Sequence, residues 1–213
     1  MKKIFRFLCV VMLFAFLFIS CGGKDAGESE APAPEPVNLK SLFKEICMIF
    51  EMSAGKKGLE LRYKAAPEIS EYLILDQARV RQVLLNIIGN AVKFTDAGSI
   101  DIQADIIISE YGQTLCIVVK DTGIGIPVDQ HEVIFEPFRQ VDGQSPRYGG
   151  SGLGLAISRK LIERMGGNIS VESLPGQGST FTIQIPGVES VSSIEANDGD
   201  LPEPAIRFEK ALV

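Results

Sequence analysis

Apolar residues along the chain switch between two repeats, one of about 3.6 residues and one of two, and the switches mark the elements. Over 39–57, Leu42, Phe43, Ile46, Cys47, Ile49 and Phe50 recur at helical spacing and predict an amphipathic helix. Leu59, Leu61 and Tyr63 alternate, and 72–75 is a short apolar run; both predict strands. Asp76 is placed to cap a second helix over 77–93. Its core stripe is Val80, Val83, Leu84, Ile87, Ile88, Ala91 and Val92. Ile100, Ile102, Ala104 and Ile106 alternate, and 115–119 is a further strand before a Gly/Pro turn over 120–127. The polar, glycine-rich stretch 139–151 predicts a mobile loop. A third helix spans about 153–165 and ends at Gly166-Gly167. Strands over 169–171 and 180–185 flank the turn Pro175-Gly176-Gln177-Gly178. Three main helices and six strands, the strands mostly in neighbouring pairs, predict an α+β fold: a two-layer sandwich with the helices on one face of a mixed sheet.

The ends of the chain follow other rules. Lys2, Lys3 and Arg6 precede 13 unbroken apolar residues, Phe7 to Ile19. A membrane span needs roughly 20, so the run fits a signal peptide or a short uncleaved anchor. It closes on Ser20-Cys21-Gly22, which resembles a bacterial lipoprotein signal with Cys21 as the lipidated residue. Residues 22–36, rich in Gly, Ala, Pro and acid, predict a flexible linker. Residues 187–213 lack periodicity and predict a disordered acidic tail. The compact domain is thus expected over 37–186. A signal or anchor predicts membrane association through the N-terminus.

Charge sharpens this division. The 213 residues carry a net charge of −6. Counted by region, residues 1–36 sum to 0, 37–186 to −2 and 187–213 to −4. The excess acid sits in the tail, and no basic face offers itself to nucleic acid. Cys47 and Cys116 lack metal-ligand spacing; small core hydrophobes or a disulfide pair are the two readings.

Three segments carry candidate chemistry. Asn86, Asn90 and Lys93 stand at i, i+4 and i+7, one row on the second helix. Such a row is either a solvated face or a site for metal-bound polyphosphate, because an amide oxygen can ligate Mg²⁺ and an ammonium can neutralise phosphate. Asp121-Thr-Gly123-Ile-Gly125-Ile-Pro127 follows a strand; its glycines allow close backbone approach, and Asp121 offers an acceptor for an amino group such as that of adenine. Gly149-Gly150-Ser151-Gly152-Leu153-Gly154-Leu155 runs into a helix, where free N–H groups suit an anion, with Arg147 just ahead. Neither a Rossmann fingerprint nor a Walker A loop is present.

In this order, the segments resemble the ATP-binding domain of bacterial sensor histidine kinases, in the GHKL superfamily. Asn86-Ile-Ile-Gly-Asn90-Ala-Val-Lys93-Phe94-Thr95 resembles the N box, and Asp121 to Gly125 the first G box. Ile134-Phe135-Glu136-Pro137-Phe138 resembles the F box, Gly149 to Leu155 the second G box, and Gly176 to Phe181 the last. The resemblance implies a cofactor, ATP with Mg²⁺. Asp121 would bind adenine, with Gly123 and Gly125 beside it. Asn90 would ligate Mg²⁺, with Asn86 assisting. Lys93, Arg147, Gly150, Gly152, Leu153 and Gly154 would hold phosphates, and Thr180 would lie near the adenine edge. Residues 139–151 would form an ATP lid anchored by Phe135 and Phe138, which plain core packing also explains. Gyrase, chaperone and mismatch-repair ATPases of this superfamily carry Glu at the position of Asn86; Asn cannot abstract a proton, which favours phosphoryl transfer over hydrolysis.

A complete kinase also needs a phosphoacceptor histidine. The sole histidine here, His131, lies between the first G box and the F box and reads as an incidental surface residue. The expected function is an ATP·Mg²⁺-binding kinase domain acting at most on a histidine from a partner, either a dimerisation or phosphotransfer domain of a two-component system with its response regulator. The alternative is a non-enzymatic lipid-anchored binding module, or an inactive truncated kinase. An exported domain would meet little ATP, so an active one would need to face the cytoplasm.

Overall fold

The computed structural model describes residues 33–139 and 151–191. Strand β1 (Glu35–Val37) leads into α1 (Leu39–Lys57), then β2 (Glu60–Ala65), β3 (Tyr72–Leu75), α2 (Gln77–Phe94), β4 (Ser99–Ser109) and β5 (Gly112–Asp121). Two short 3₁₀ turns, Val128–Gln130 and Val133–Phe135, follow. Helix α3 (Gly154–Arg164) and strands β6 (Asn168–Ser173), β7 (Ser179–Pro186) and β8 (Glu189–Val191) complete the described chain.

The caps explain the helix bounds. Asn38 accepts the Ser41 N–H at 3.0 Å to start α1, and Gly58, at φ 65°, ends it in the left-handed region. Asp76 accepts the Arg79 N–H at 2.9 Å and starts α2 as expected. Lys57 closes the other end of α2. Its Nζ donates to the carbonyls of Val92, Lys93 and Thr95 at 2.9, 2.8 and 3.0 Å.

The main sheet has the order β2-β4-β5-β7-β6, with β2 parallel to β4 and all other pairs antiparallel. Alternation splits its two faces. Ile100, Ile102, Leu115, Ile117, Val119, Phe181 and Ile183 are buried and meet Phe43, Ile46, Leu84, Ile87, Ile88 and Ile162 of the helices in one core. The opposite face carries Gln103, Asp105, Lys120 and Gln184, all exposed. This is the expected α+β architecture with a mixed sheet.

The structure differs from the sequence reading at particular points. Glu35–Val37 and Glu189–Val191 flank β3 as antiparallel partners, so a second, three-stranded sheet β1-β3-β8 reaches into the stretches expected to be linker and tail. Ile49 is 57% exposed. The buried side of α1 runs through Leu39, Leu42, Phe43, Ile46 and Cys47, and Ile49 points away from it. Tyr63 is also exposed. Both cysteines are free. Cys47 is a core residue whose thiol burial pushes up to about 11. Cys116 alternates with buried Leu115 and Ile117 and so stands half-buried on the outer sheet face, not in the core. The signal, Cys21, and most of the acidic tail lie outside the described residues.

Candidate nucleotide site

Helix α2 lies over β4 and β5 and presents its polar row to a cavity of about 290 Å³. Asn86, Asn90 and Lys93 all line it, so the row faces a cavity. The Lys93 ammonium sits 4.5 Å from the centre of the Phe94 ring, and partial burial lowers its pKa. Gly152 and Gly154, at the entry to α3, line the same cavity, and Gly154 lies against Asn86.

Asp121 ends β5, lines the same cavity and is 6% exposed. Burial pushes its pKa up, opposed by two backbone donors. Its Oδ1 accepts the Gly123 N–H at 2.8 Å and the Ser179 N–H at 3.2 Å. These bonds fix the carboxylate in place. Gly123 does not line the cavity but is needed for this turn. A Cβ there would stand 2.5 Å from the Phe94 carbonyl oxygen and 2.9 Å from both Asp121 Oδ1 and Thr95 Oγ1. Gly125, at φ 69°, lines the cavity, and a Cβ on it would strike the Leu174 carbonyl oxygen at 2.0 Å. Ile124, Ile126, Ile134, Leu155 and Phe181 form apolar walls of the same cavity. A cavity with apolar walls, one buried acid, and amides with an ammonium suits a purine joined to phosphates.

Several expected residues fall elsewhere. Thr180 faces outward, paired in register with Lys120 and Glu172. Strand alternation puts Ser179 on the cavity side instead. The shared facing of Ser179, Phe181, Ile183 and Ile185 was the available signal. Leu153 stands just before α3 and does not line the cavity; Leu155 does. Phe135 is buried, edge-on to Phe181 at 6.4 Å, with the Arg159 guanidinium 3.9 Å above its ring. Phe138 is 75% exposed at φ 63°, and residues 140–150 of the expected lid lie outside the described residues. The Phe138 N–H bonds the Gly152 carbonyl at 3.0 Å, joining the F-box end to the α3 entry. His131 is half-buried, with Nε2 3.3 Å from the Ile126 carbonyl oxygen. Arg147 and Gly150 lie outside the described residues. Arg139, absent from the expected set, lines the cavity mouth.

The family model described as histidine kinase-, DNA gyrase B- and HSP90-like ATPase matches residues 75–189, more than half of the chain. The chain therefore belongs to this ATPase family, and its described part is a histidine kinase ATP-binding catalytic domain. It is 40% identical over 152 residues to the signal transduction histidine-protein kinase BarA of Escherichia coli K12, covering 70% of this chain and 17% of BarA. Full-length ShkA in complex with AMPPNP superposes with a TM-score of 0.67 at 34% identity, covering 80% of this chain and 34% of ShkA. The catalytic domain of histidine kinase ThkA superposes at 0.61 with 31% identity, covering 73% of this chain and 96% of that domain. ThkA in complex with the response regulator TrrA matches at 0.60 and 25% identity, covering 86% of this chain and 48% of that one. The chain thus spans about a sixth of the length of BarA.

Proposed function

We propose that this chain binds ATP with Mg²⁺ and transfers its terminal phosphoryl group to a histidine supplied by a partner. One observation carries the reading: Asp121 and the row Asn86, Asn90 and Lys93 line a single cavity with apolar walls. The AMPPNP complex of ShkA supports the choice of nucleotide.

The donor set fits a hard cation. Among the described residues no group of three or more His, Cys, Asp or Glu gathers, so the protein offers amide oxygens. Gly154 leaves the room they need, since a Cβ there would sit 2.1 Å from Asn86 Oδ1. Asn90, with Asn86, would hold Mg²⁺ alongside phosphate oxygens and water. The ion would supply charge neutralisation on the phosphates. Asp121 accepts the adenine amino hydrogen, and its two backbone donors keep that acceptor aimed. Lys93 neutralises phosphate. Asn86 takes no proton from water, so positioning and electrostatics carry the transfer, with no covalent step on the enzyme.

A dimerisation or phosphotransfer histidine domain, and a response regulator of the kind TrrA represents for ThkA, are the proposed partners. We further propose that the N-terminus holds the protein at a membrane, either as an uncleaved segment over residues 1–21 or through a lipidated Cys21, and that an active domain would need to face the cytoplasm. The test is incubation with labelled ATP, alone and with the histidine-bearing domain of a related hybrid kinase. Acid-labile phosphate should appear on the partner only. Label on His131, or none on any partner, counts against the proposal.

A further inference from the structure

Asn86 sits between two residues of α3 spaced one turn apart. Its Nδ2 donates to Ser158 Oγ at 2.9 Å. Seen from the empty Cβ position of Gly154, Oδ1 is the nearest atom at 2.1 Å and Nδ2 is farther, at 3.1 Å. Gly154 lines the cavity and Ser158 does not. The amide is therefore oriented with its nitrogen toward Ser158 and its oxygen toward Gly154, which lines the cavity. Ser158 is 1% exposed, a hydroxyl inside a helix-to-helix contact. Burying a hydroxyl there is unfavourable unless it is bonded, and its partner here is Asn86.

We propose that Ser158 is a positioning residue that holds Asn86 carbonyl-first toward Mg²⁺·ATP, an inference that rests on the nucleotide reading above. The two ends of a carboxamide have nearly the same shape but opposite polarity. Only the oxygen can serve a cation or a water in its shell. Here Ser158 Oγ accepts from the N–H₂ end, which leaves Oδ1 on the Gly154 side. The same bond ties the helix that follows the glycine loop to the helix that carries Asn90 and Lys93.

The test compares wild type, Ser158→Ala and Ser158→Thr in the full chain. Mg²⁺ is titrated by calorimetry at saturating ATP, and ATP is titrated in EDTA. Partners of metal ligands are typically worth about 10–100-fold in metal affinity. Ser158→Ala should therefore weaken Mg²⁺ about tenfold, at the low end of that range, with ATP affinity in EDTA unchanged. Ser158→Thr keeps an acceptor and should restore Mg²⁺ affinity. Equal losses with and without Mg²⁺, or no loss, would overturn the inference. Exchange of the Asn86 side-chain amide protons by NMR needs no nucleotide. It should be slow in wild type and Ser158→Thr and fast in Ser158→Ala; slow exchange in the alanine variant also overturns the inference. A wild type that binds no ATP sinks the nucleotide reading instead, while the exchange rates still decide the hydrogen bond.

Discussion

Lys57 is the last residue of α1, yet its charge serves α2. An α-helix leaves its final carbonyls without internal partners, and three of those at the end of α2 converge on one ammonium at 2.8–3.0 Å. Replacing Lys57 by Met keeps the aliphatic stem and removes the donor. A hydrogen bond from a charged group is worth about 1.5–3 kcal/mol, and a cation at a helix C-terminus about 0.3–1 kcal/mol. The terms do not sum over three carbonyls, because the side chain is 31% exposed and water replaces part of what is lost. The accompanying contact to Asp96 at 3.5 Å involves a largely exposed carboxylate and adds little. The expected loss is about 2 kcal/mol, near one strong charged bond. At about 2–4 °C per kcal/mol for a chain of this size, Tm should fall by about 4–8 °C. Thermal unfolding followed by circular dichroism measures it. A Tm within about 1 °C of wild type would mean that water satisfies those carbonyls equally well and that Lys57 is no cap.

Three further variants probe the site. Asp121→Asn keeps an oxygen for the Gly123 and Ser179 N–H groups but presents an N–H₂ to adenine; ATP binding should be lost while Tm of the unliganded protein holds or rises, as measured by thermal shift with and without ATP. The sign follows from burial: the folded state raises the Asp121 pKa, so ionisation opposes folding, and stability is gained as pH falls through that raised value. For the same reason, wild-type ATP affinity should drop on acidification sooner than an ordinary carboxylate would require, which equilibrium binding across pH checks. Ser179→Val should weaken ATP in a competition assay and Thr180→Ala should not, because only the first faces the cavity; the reverse order would mean that β7 is out of register. Phe135→Ala removes a buried ring packed on Phe181 and under Arg159 and should cost about 3–5 kcal/mol in urea unfolding.

The sequence disclosed what periodicity and capping encode. Helices α1 and α2 have seven or more core positions or a strong cap, and their ends agree with expectation to within one residue. Strands β1 and β8 have three residues each, too few for an alternation to register, and exist because β3 offers two free edges. The polar row of α2 is legible, but its facing a cavity depends on what α3 and β5 place opposite it. A motif fixes a segment without fixing a face. The choice between Ser179 and Thr180 is set by pleat phase, and Cys116 stands outside the core for the same reason. Phe138, expected from the F-box resemblance as a lid anchor, stands 75% exposed at positive φ, which no local pattern encodes. Lys57 and Ser158 lie 36 and 72 residues from the groups they hold, beyond any local pattern.

Equilibrium titration of the full chain with ATP and with GTP, each with Mg²⁺ and for wild type beside Asp121→Asn, tests the central claim most directly. The account predicts saturable ATP binding by wild type, little GTP binding because a 6-oxo group cannot donate to Asp121, and no ATP binding by the variant. Equal affinity for the two nucleotides, or ATP binding that survives Asp121→Asn, would contradict it.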